Sequence, residues 1–401
     1  MKRERGFTLI EMLTAMAIML VIGAAAVTAL VQAQRVTQGV AMEAATQENL
    51  RAGMHFMVRD ITQAGEGLPP GGISIPNSSS AVSALNRPAT TTTFNSNYVV
   101  LSGIEPGSAI GQLAKGVTTT GTVITTGANP TDIITVLYAD NSLVDSSANK
   151  YYLNQYPITQ TGTSHNCAGT FTTAASVTLD STCFDMPGSG PTPIAPGNLM
   201  MFENEYGTAL EYVTGVSGQT ISFASGDPAG LNAVSASSYP NGTAAALLAN
   251  GSVPTTITRV WMVTYYLDST TNPTHPQLVR QVNYPGYPTT ATQTNAPQPI
   301  ADDIEDLGFT FDIIDSTAPS GTYPNGAGDA PQPACWAHPC SSNSDTPQQI
   351  RAVNVYLAGR SERPYQLGNA LTFFHNNLST QVSIRSLAFT NQYNTSATAP
   401  E

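Results

Sequence analysis

The hydrophobic residues of this chain are concentrated in one unbroken run near the N-terminus. Lys2, Arg3 and Arg5 come first, and an apolar segment then extends over 7–31 with a single acidic residue, Glu11, inside it. A helix of this length measures about 37 Å, and the hydrocarbon layer of a membrane about 30 Å. The pattern therefore predicts a membrane-spanning helix with its basic N-terminus in the cytoplasm and the rest of the chain outside.

After residue 31 the pattern becomes amphipathic rather than ending. Apolar residues recur every three to four positions, which predicts that the helix continues. This stripe consists of Val36, Val40, Ala44, Leu50, Met54, Met57, Val58 and Ile61. Because Gly and Pro in 65–72 are expected to end the helix, we expect one helix over 7–64, on the order of 85 Å long. The second half of this helix has an apolar side that a sheet must cover.

Beyond residue 72, short segments rich in Val, Ile, Thr and Tyr alternate with turn residues, which is typical of β-strands. Strands are predicted at 98–101, 117–125, 132–138, 197–203, 209–216, 219–224, 257–267, 277–283, 308–314, 349–360 and 380–389. The three strands within 197–224 are expected to form a meander, and the strand at 257–267 is expected to pair antiparallel with 277–283. Surface loops are predicted at 73–96 and 226–254.

The strand pattern also predicts core residues and a fold class. The alternation at 349–360 marks five core residues: Ile350, Ala352, Val353, Val355 and Leu357. We predict an α+β protein in which a long N-terminal helix packs on an antiparallel, β-sheet-rich globular head. Its parts are a basic N-terminal segment at 1–6, the helix at 7–64 (7–31 transmembrane, 32–64 amphipathic) and the head at 65–401.

Charge excludes one class of partner. Only 10% of the residues are charged, and the formal net charge is −12. Removal of residues 1–6 would take away three basic residues and one acidic residue, and would leave a charge of about −14. Such a chain repels phosphate backbones, so direct nucleic-acid binding is not expected.

The four cysteines lie on the side of the membrane that the topology makes oxidising, which favours disulfides. We expect two local bridges, Cys167–Cys183 and Cys335–Cys340, although three connectivities are possible. The segment around the first pair is polar and is predicted to lie outside the core. An alternative for 335–340 is half of a zinc site, but it lacks a fourth ligand and the Cys-x-x-Cys spacing.

Four acidic residues lie close together at Asp302, Asp303, Glu305 and Asp306. They allow a calcium hypothesis, because Ca²⁺ takes several oxygen ligands. The spacing does not match an Asp-x-Asp-x-Asp-Gly loop, and Ile304 and Leu307 between the acids favour a solvated turn of surface helix instead.

The sequence carries none of the common catalytic motifs. The sequence contains no Gly-x-Ser-x-Gly, P-loop, His-Glu-x-x-His or strand-borne Gly-x-Gly-x-x-Gly motif, and its five histidines are scattered. A catalytic triad assembled only in space stays an alternative. We expect no enzyme and no cofactor.

Glu11 is the anomaly of the apolar run, because a carboxylate at the bilayer centre costs about 2.5–3.5 kcal/mol. Nothing near it in sequence is expected to pair with it. If the chain were cut after Gly6, however, Phe7 would carry a free α-amino group about 6 Å from Glu11 along the helix. A neighbouring copy shifted axially by that distance could place its ammonium beside this carboxylate.

Residues 5–13, with Gly6, Phe7 and Glu11 at these positions behind a basic leader, resemble the type III signal of prepilins, the precursors of type IV pilins and of type II secretion pseudopilins. The resemblance implies cleavage between Gly6 and Phe7 by a prepilin peptidase, N-methylation of Phe7, and a role for Glu11 in subunit register. It also implies three kinds of partner: other major and minor pilins through the helix, the peptidase, and an inner-membrane assembly platform. The protein would lie in the inner membrane before assembly and then in a pilus or pseudopilus.

A second resemblance covers about the last third of the chain. The strand at 257–267 and the segments 278–280, 304–311 and 350–357 are similar to the C-terminal half of PilW-type minor pilins, with Asp303 in place of the usual Gly. This implies a minor pilin that initiates or caps a filament. The alternatives are a type II secretion pseudopilin and an adhesive module on a pilin stem. Two alternatives also stand for the N-terminal segment: a secretory signal cut near Ala33, and a plain membrane anchor.

Overall fold

The computed structural model describes residues 8–76, 100–107, 111, 130–140, 169–172, 176–181, 183–184, 188, 193–227, 229–232, 242–248, 253–269, 272, 274–283, 297–313, 347, 350–367 and 370–388.

The predicted long helix is present as α1, Leu9–Thr62. Its 54 residues correspond to about 80 Å at 1.5 Å per residue. The chain then reverses through Gly65 and Gly67, both of which have positive φ, 74° and 67°. Only glycine adopts this backbone region freely, so these two residues account for the sharp end of the helix.

The described residues after α1 form short strands and two further helices, which we number in chain order. The strands are β1 Ile73–Ser74, β2 Val100–Leu101, β3 Ile104–Gly107, β4 Ile133–Ala139, β5 Gly169–Thr172, β6 Ser176–Leu179, β7 Leu199–Asn204, β8 Gly207–Tyr212, β9 Gly215–Ser217, β10 Thr220–Ser222, β11 Thr256–Asp268, β12 Gln277–Val282, β13 Gln298–Asp302, β14 Ile304–Ile313, β15 Ile350–Arg360, β16 Tyr365–Leu367, β17 Ala370–Thr372 and β18 His375–Ser383. The helices are α2 Ala244–Leu248 and α3 Arg385–Ala388.

The strands form antiparallel sheets. The largest sheet has seven strands in the order β13-β12-β11-β4-β3, and β7 and β8 extend it from the first half of β11. A second sheet has the order β14-β15-β18, and a third the order β5-β6-β10-β9. The predicted α+β class, with a long helix on an antiparallel β-rich head, is therefore confirmed.

The largest apolar core lies between α1 and two sheets. Leu50, Met57 and Ile61 of the helix are fully buried against residues of both β11 and β15. The five core residues predicted for β15 are all buried. The predicted stripe is not covered along its whole length, since Val36 and Val40 are 67% and 61% exposed. The head begins to cover the helix only at about Thr46.

A second apolar cluster corrects the prediction that the segment around Cys183 lies outside the core. Val177 and Leu179 occupy one face of β6 and are buried, as is Phe184. They pack with β7, β8, β10 and α2, and β6 itself pairs with β10. Strand β6 was not predicted, because it has only two apolar residues and lies in a segment rich in Ser and Thr.

Four other predictions need correction. The meander at 197–224 is split, because β7 and β8 belong to the seven-stranded sheet while β9 and β10 belong to the third sheet. The region expected to be a loop at 226–254 contains α2, and the loop predicted at 73–96 begins with β1. The strand predicted at 380–389 begins earlier and gives way to α3. The strand predicted at 117–125 lies outside the described residues.

Candidate functional site

The first part of α1, residues 9–45, stands free of the head, and we call it the stem. Its apolar side chains are exposed around the whole helix, with Leu9 at 83%, Met19 at 78% and Leu20 at 74%. In the described part of the chain, α1 is the one helix long and apolar enough to span a membrane, and its most apolar window is 0% buried. A helix that is hydrophobic on all sides needs lipid or other helices around it.

Glu11 does have a partner within its own chain, contrary to the sequence prediction. The side chain of Thr8 accepts a hydrogen bond from the Glu11 backbone N–H, and both the N–H and the hydroxyl of Thr8 donate to Glu11 Oε2 at 2.9 Å. This reciprocal pattern is a capping box. The Thr-x-x-Glu spacing before an apolar run was the signal that could have predicted it.

The capping box leaves part of the carboxylate available. Both hydrogen bonds end on Oε2, and no described residue donates to Oε1. The negative charge also lies at the helix N-terminus, where the backbone dipole favours it. Glu11 can therefore cap its own helix with one oxygen and accept a cation from another molecule with the other. Gly6 and Phe7 lie outside the described residues.

At its other end, α1 is joined to the head through a buried acid that the sequence analysis did not single out. Asp60 is fully buried, and its Oδ2 accepts hydrogen bonds from the Tyr265 hydroxyl at 2.6 Å and from Arg280 Nε at 2.7 Å. Its Oδ1 accepts from Arg59 at 3.1 Å. Burial and then the charge of Asp60 raise the pKa of Tyr265 far above its ordinary value, so this hydroxyl remains a donor. The sequence feature that could have identified Asp60 is its position on the apolar side of the helix, beside Ile61.

The four clustered acids do not form the predicted turn of surface helix. They belong to the end of β13, the connection at Asp303 and the start of β14. Asp303 and Glu305 are buried, and they accept hydrogen bonds from His275 at 2.7 Å and His375 at 2.9 Å. Arg360 lies between them, 3.9 Å and 3.7 Å from the two carboxylates.

These partners give the acids a different chemistry from that of a calcium loop. Burial raises the pKa of Asp303 and of Glu305, and the neighbouring histidines and Arg360 oppose that shift. Among the described residues, no group of three or more His, Cys, Asp or Glu side chains could bind a metal ion. Asp303 and Glu305 act as partners for basic side chains that come from β15, β18 and the segment before β12.

One cysteine is within the described residues. Cys183 is partly buried beside the second apolar cluster and is not a free thiol. Cys167, Cys335 and Cys340 lie outside the described residues, so the two expected bridges and the zinc alternative stay predictions.

Comparison with known protein families gives a match at the N-terminus. The family model described as the prokaryotic N-terminal methylation motif matches residues 1–27. Neither the curated proteins nor the solved structures give a significant match. The matched segment contains Gly6, Phe7 and Glu11, and it indicates a type IV pilin-like or pseudopilin protein.

Proposed function

We propose that this protein is a minor pilin of a type IV pilus, a membrane-inserted prepilin subunit that helps to initiate or cap filament assembly. The observation that carries the proposal is the exposed apolar stem, whose first half, with Glu11 near its start, lies within the methylation motif matched at residues 1–27. In the membrane the stem is surrounded by lipid, and in a filament the stems of neighbouring subunits would replace that lipid.

The proposed order of events begins at the leader. A prepilin peptidase cuts between Gly6 and Phe7, and the new α-amino group of Phe7 is N-methylated. The assembly platform then brings the stem beside those of other pilins. The ammonium of a neighbouring subunit approaches Oε1 of Glu11 and sets the axial register, while Oε2 remains bonded to Thr8.

A detail of the head supports the more specific proposal of a PilW-type subunit. Asp303 has φ of 56°, in the left-handed region, and it stands where the similar sequences have Gly. Asp tolerates this backbone better than most residues. The departure from the family pattern is therefore compatible with the same local backbone.

The two alternatives, a secretion pseudopilin and an adhesive module, can be distinguished from a pilus assembly subunit by the effect of deleting the protein. A type II secretion pseudopilin would have the same stem in a short periplasmic filament, and its deletion would abolish protein secretion rather than surface pili. An adhesive module would leave piliation intact on deletion and abolish attachment. A pilus assembly subunit predicts loss of piliation with secretion unchanged.

Three variants test the assembly mechanism by separating the charge of Glu11 from its capping role. Glu11→Gln retains an oxygen that can accept from Thr8 but removes the charge, and Glu11→Ala removes both. Thr8→Ala is the matched control, because it removes the capping hydroxyl at a cost of about 1 kcal/mol and leaves the carboxylate. Each variant is expressed in the native cell, and its amounts in membranes and in sheared filaments are measured.

If the charge sets register, both Glu11 variants are cleaved and inserted but nearly absent from filaments, whereas Thr8→Ala is incorporated. If Glu11→Gln entered filaments in the same amount as the unmodified chain, the register mechanism would be contradicted. An unmodified chain that kept Met1 in the same membranes would contradict the assignment of the leader.

A further inference from the structure

The sheet β14-β15-β18 has a polar side that faces away from α1, and we call it the outer face. Alternate residues of a strand point to opposite sides of its sheet. Val353, Val355 and Leu357 of β15 lie in the core with α1, so Asn354 and Tyr356 belong to the outer face.

The outer face contains a concavity with an open aromatic ring at its edge. The concavity measures about 520 Å³ and is lined by residues of all three strands together with Asp132. Tyr356 is 39% exposed, and its hydroxyl has no hydrogen bond to any described residue. Gly308 lies opposite Tyr356 on β14. Because Gly308 has no side chain, that side of the ring is not covered from β14.

Two amide side chains beside the ring are oriented by one carboxylate. Asp312 accepts hydrogen bonds from Asn354 Nδ2 at 3.1 Å and from Gln381 Nε2 at 2.5 Å. No described residue donates to the amide oxygens of Asn354 or Gln381. The amides are therefore positioned before any ligand arrives, which lowers the entropy that binding would cost.

The charge of this site decides the class of ligand. The residues lining the concavity include no Lys, Arg or His among those described, while Asp132 lines it and Asp312 lies beside it. Phosphate, sulfate and carboxylate groups are thus repelled. The site therefore offers a ligand an apolar ring surface, next to hydroxyl and amide groups that can both donate and accept hydrogen bonds.

A neutral sugar matches both features, because its ring has an apolar C–H face and its edge carries hydroxyls that donate and accept hydrogen bonds. We propose that the outer face of β14-β15-β18 binds a neutral carbohydrate, with the ring of Tyr356 as the stacking surface and Asn354 and Gln381 as hydrogen-bonding groups. This inference concerns the head alone and does not depend on the assembly role of the stem.

The test uses the full mature chain in lauryldimethylamine oxide, since a detergent with a sugar headgroup would compete. The protein is applied to a printed array of neutral, sialylated and sulfated oligosaccharides. We expect binding to neutral oligosaccharides and weaker or absent binding to the acidic ones. Affinity for the strongest neutral binder should fall about tenfold in Tyr356→Ala, the loss of an aromatic contact and its buried area.

Tyr206→Ala is the matched control. Tyr206 is 52% exposed in the turn between β7 and β8, so the same chemical change is made away from the outer face, and the affinity should not change. Gln381→Ala, at another exposed position, is a second test and should also weaken binding.

Three results would overturn the proposal: no binding to any neutral oligosaccharide, equal binding by Tyr356→Ala and the unmodified chain, or binding to acidic oligosaccharides alone. If Tyr356→Ala instead abolished association with another pilin subunit and left sugar binding unchanged, the outer face would be a subunit contact.

Discussion

At the scale of single residues, the least expected feature of the head is a fully buried acid, Glu211 on β8. Its Oε1 accepts a hydrogen bond from the Ala244 backbone N–H at 2.7 Å, whereas its Oε2 has no hydrogen-bond partner in the described part of the chain. Burial raises the pKa of Glu211 well above its ordinary value of 4.5, and the charge of Asp227 adds to the shift, although the Ala244 bond opposes it.

This shift predicts how stability depends on pH. The folded pKa of Glu211 lies above the unfolded one, so the folded protein binds this proton more tightly. The contribution of Glu211 to stability is therefore greatest below pH 4.5 and is lost as the pH rises through the folded pKa. Glu211→Gln keeps the oxygen that accepts from Ala244 and cannot ionise.

We expect Glu211→Gln and the unmodified chain to have similar free energies of unfolding below pH 4.5. The variant should become the more stable of the two as the pH rises to 8. Urea unfolding of the full chain in detergent micelles, followed by tryptophan fluorescence, measures this difference. A difference that stayed constant with pH, or reversed its sign, would contradict the assignment of a raised pKa.

At the scale of elements, the central feature is the attachment of α1 to the two sheets. The apolar contacts of Leu50, Met57 and Ile61 provide buried area, and Asp60 provides the hydrogen bonds to β11 and β12. These bonds join residues more than 200 positions apart, so they form only when the helix and the sheet are both in place.

Asp60→Asn should strongly destabilise the head. The substitution removes the charge that neutralises Arg280, whose side chain is 14% exposed, and breaking a buried ion pair costs about 3 kcal/mol. Tyr265→Phe is the comparison, because it removes one hydrogen bond and should cost about 1–2 kcal/mol. Urea unfolding of both variants measures the loss in the free energy of unfolding. A smaller loss for Asp60→Asn than for Tyr265→Phe would contradict this prediction.

At Gly53 the helix α1 packs so closely on the sheets that there is little space for a side chain. A Cβ at Gly53 would lie 2.9 Å from Leu278 and 3.3 Å from Leu357, whereas one at Gly39 would have nothing within 4 Å. Gly53→Leu should therefore destabilise the head by about 1–3 kcal/mol.

Gly39→Leu is the matched control, since Leu favours helix over Gly by roughly 0.8 kcal/mol and a Cβ there would have no atom of the described residues beyond its own helix within 4 Å. The head should keep its free energy of unfolding in this variant. Equal losses in Gly39→Leu and Gly53→Leu would contradict the close packing of α1 at Gly53.

The elements that could be predicted from sequence are those with a regular local pattern. The continuous apolar run predicted α1, and the alternation in 350–360 predicted β15 and its buried side. The prediction for the acids at 302–306 was wrong because their basic partners, His275, Arg360 and His375, lie 28 to 70 positions away. For the same reason the bond from Asp60 to Tyr265 was not predicted. The capping box at Thr8 is local, and the Thr-x-x-Glu spacing would have predicted it.

At the scale of the whole molecule, the head covers only the last part of α1. Residues 9–45 remain outside it, with large apolar side chains exposed on all sides. A free stem of this kind is suited first to a membrane and then to a bundle of similar stems. The proposed assembly depends on removal of the leader, because the register mechanism requires an α-amino group at Phe7.

The most direct test of that claim is the N-terminal residue, and its mass, in protein recovered from the native membrane and from filaments. The account predicts a chain that begins with N-methylated Phe7 in both fractions. A chain that begins near Gln34 would mean a secreted protein, and an intact Met1 would mean a plain anchor. Either result would contradict the proposed assembly mechanism.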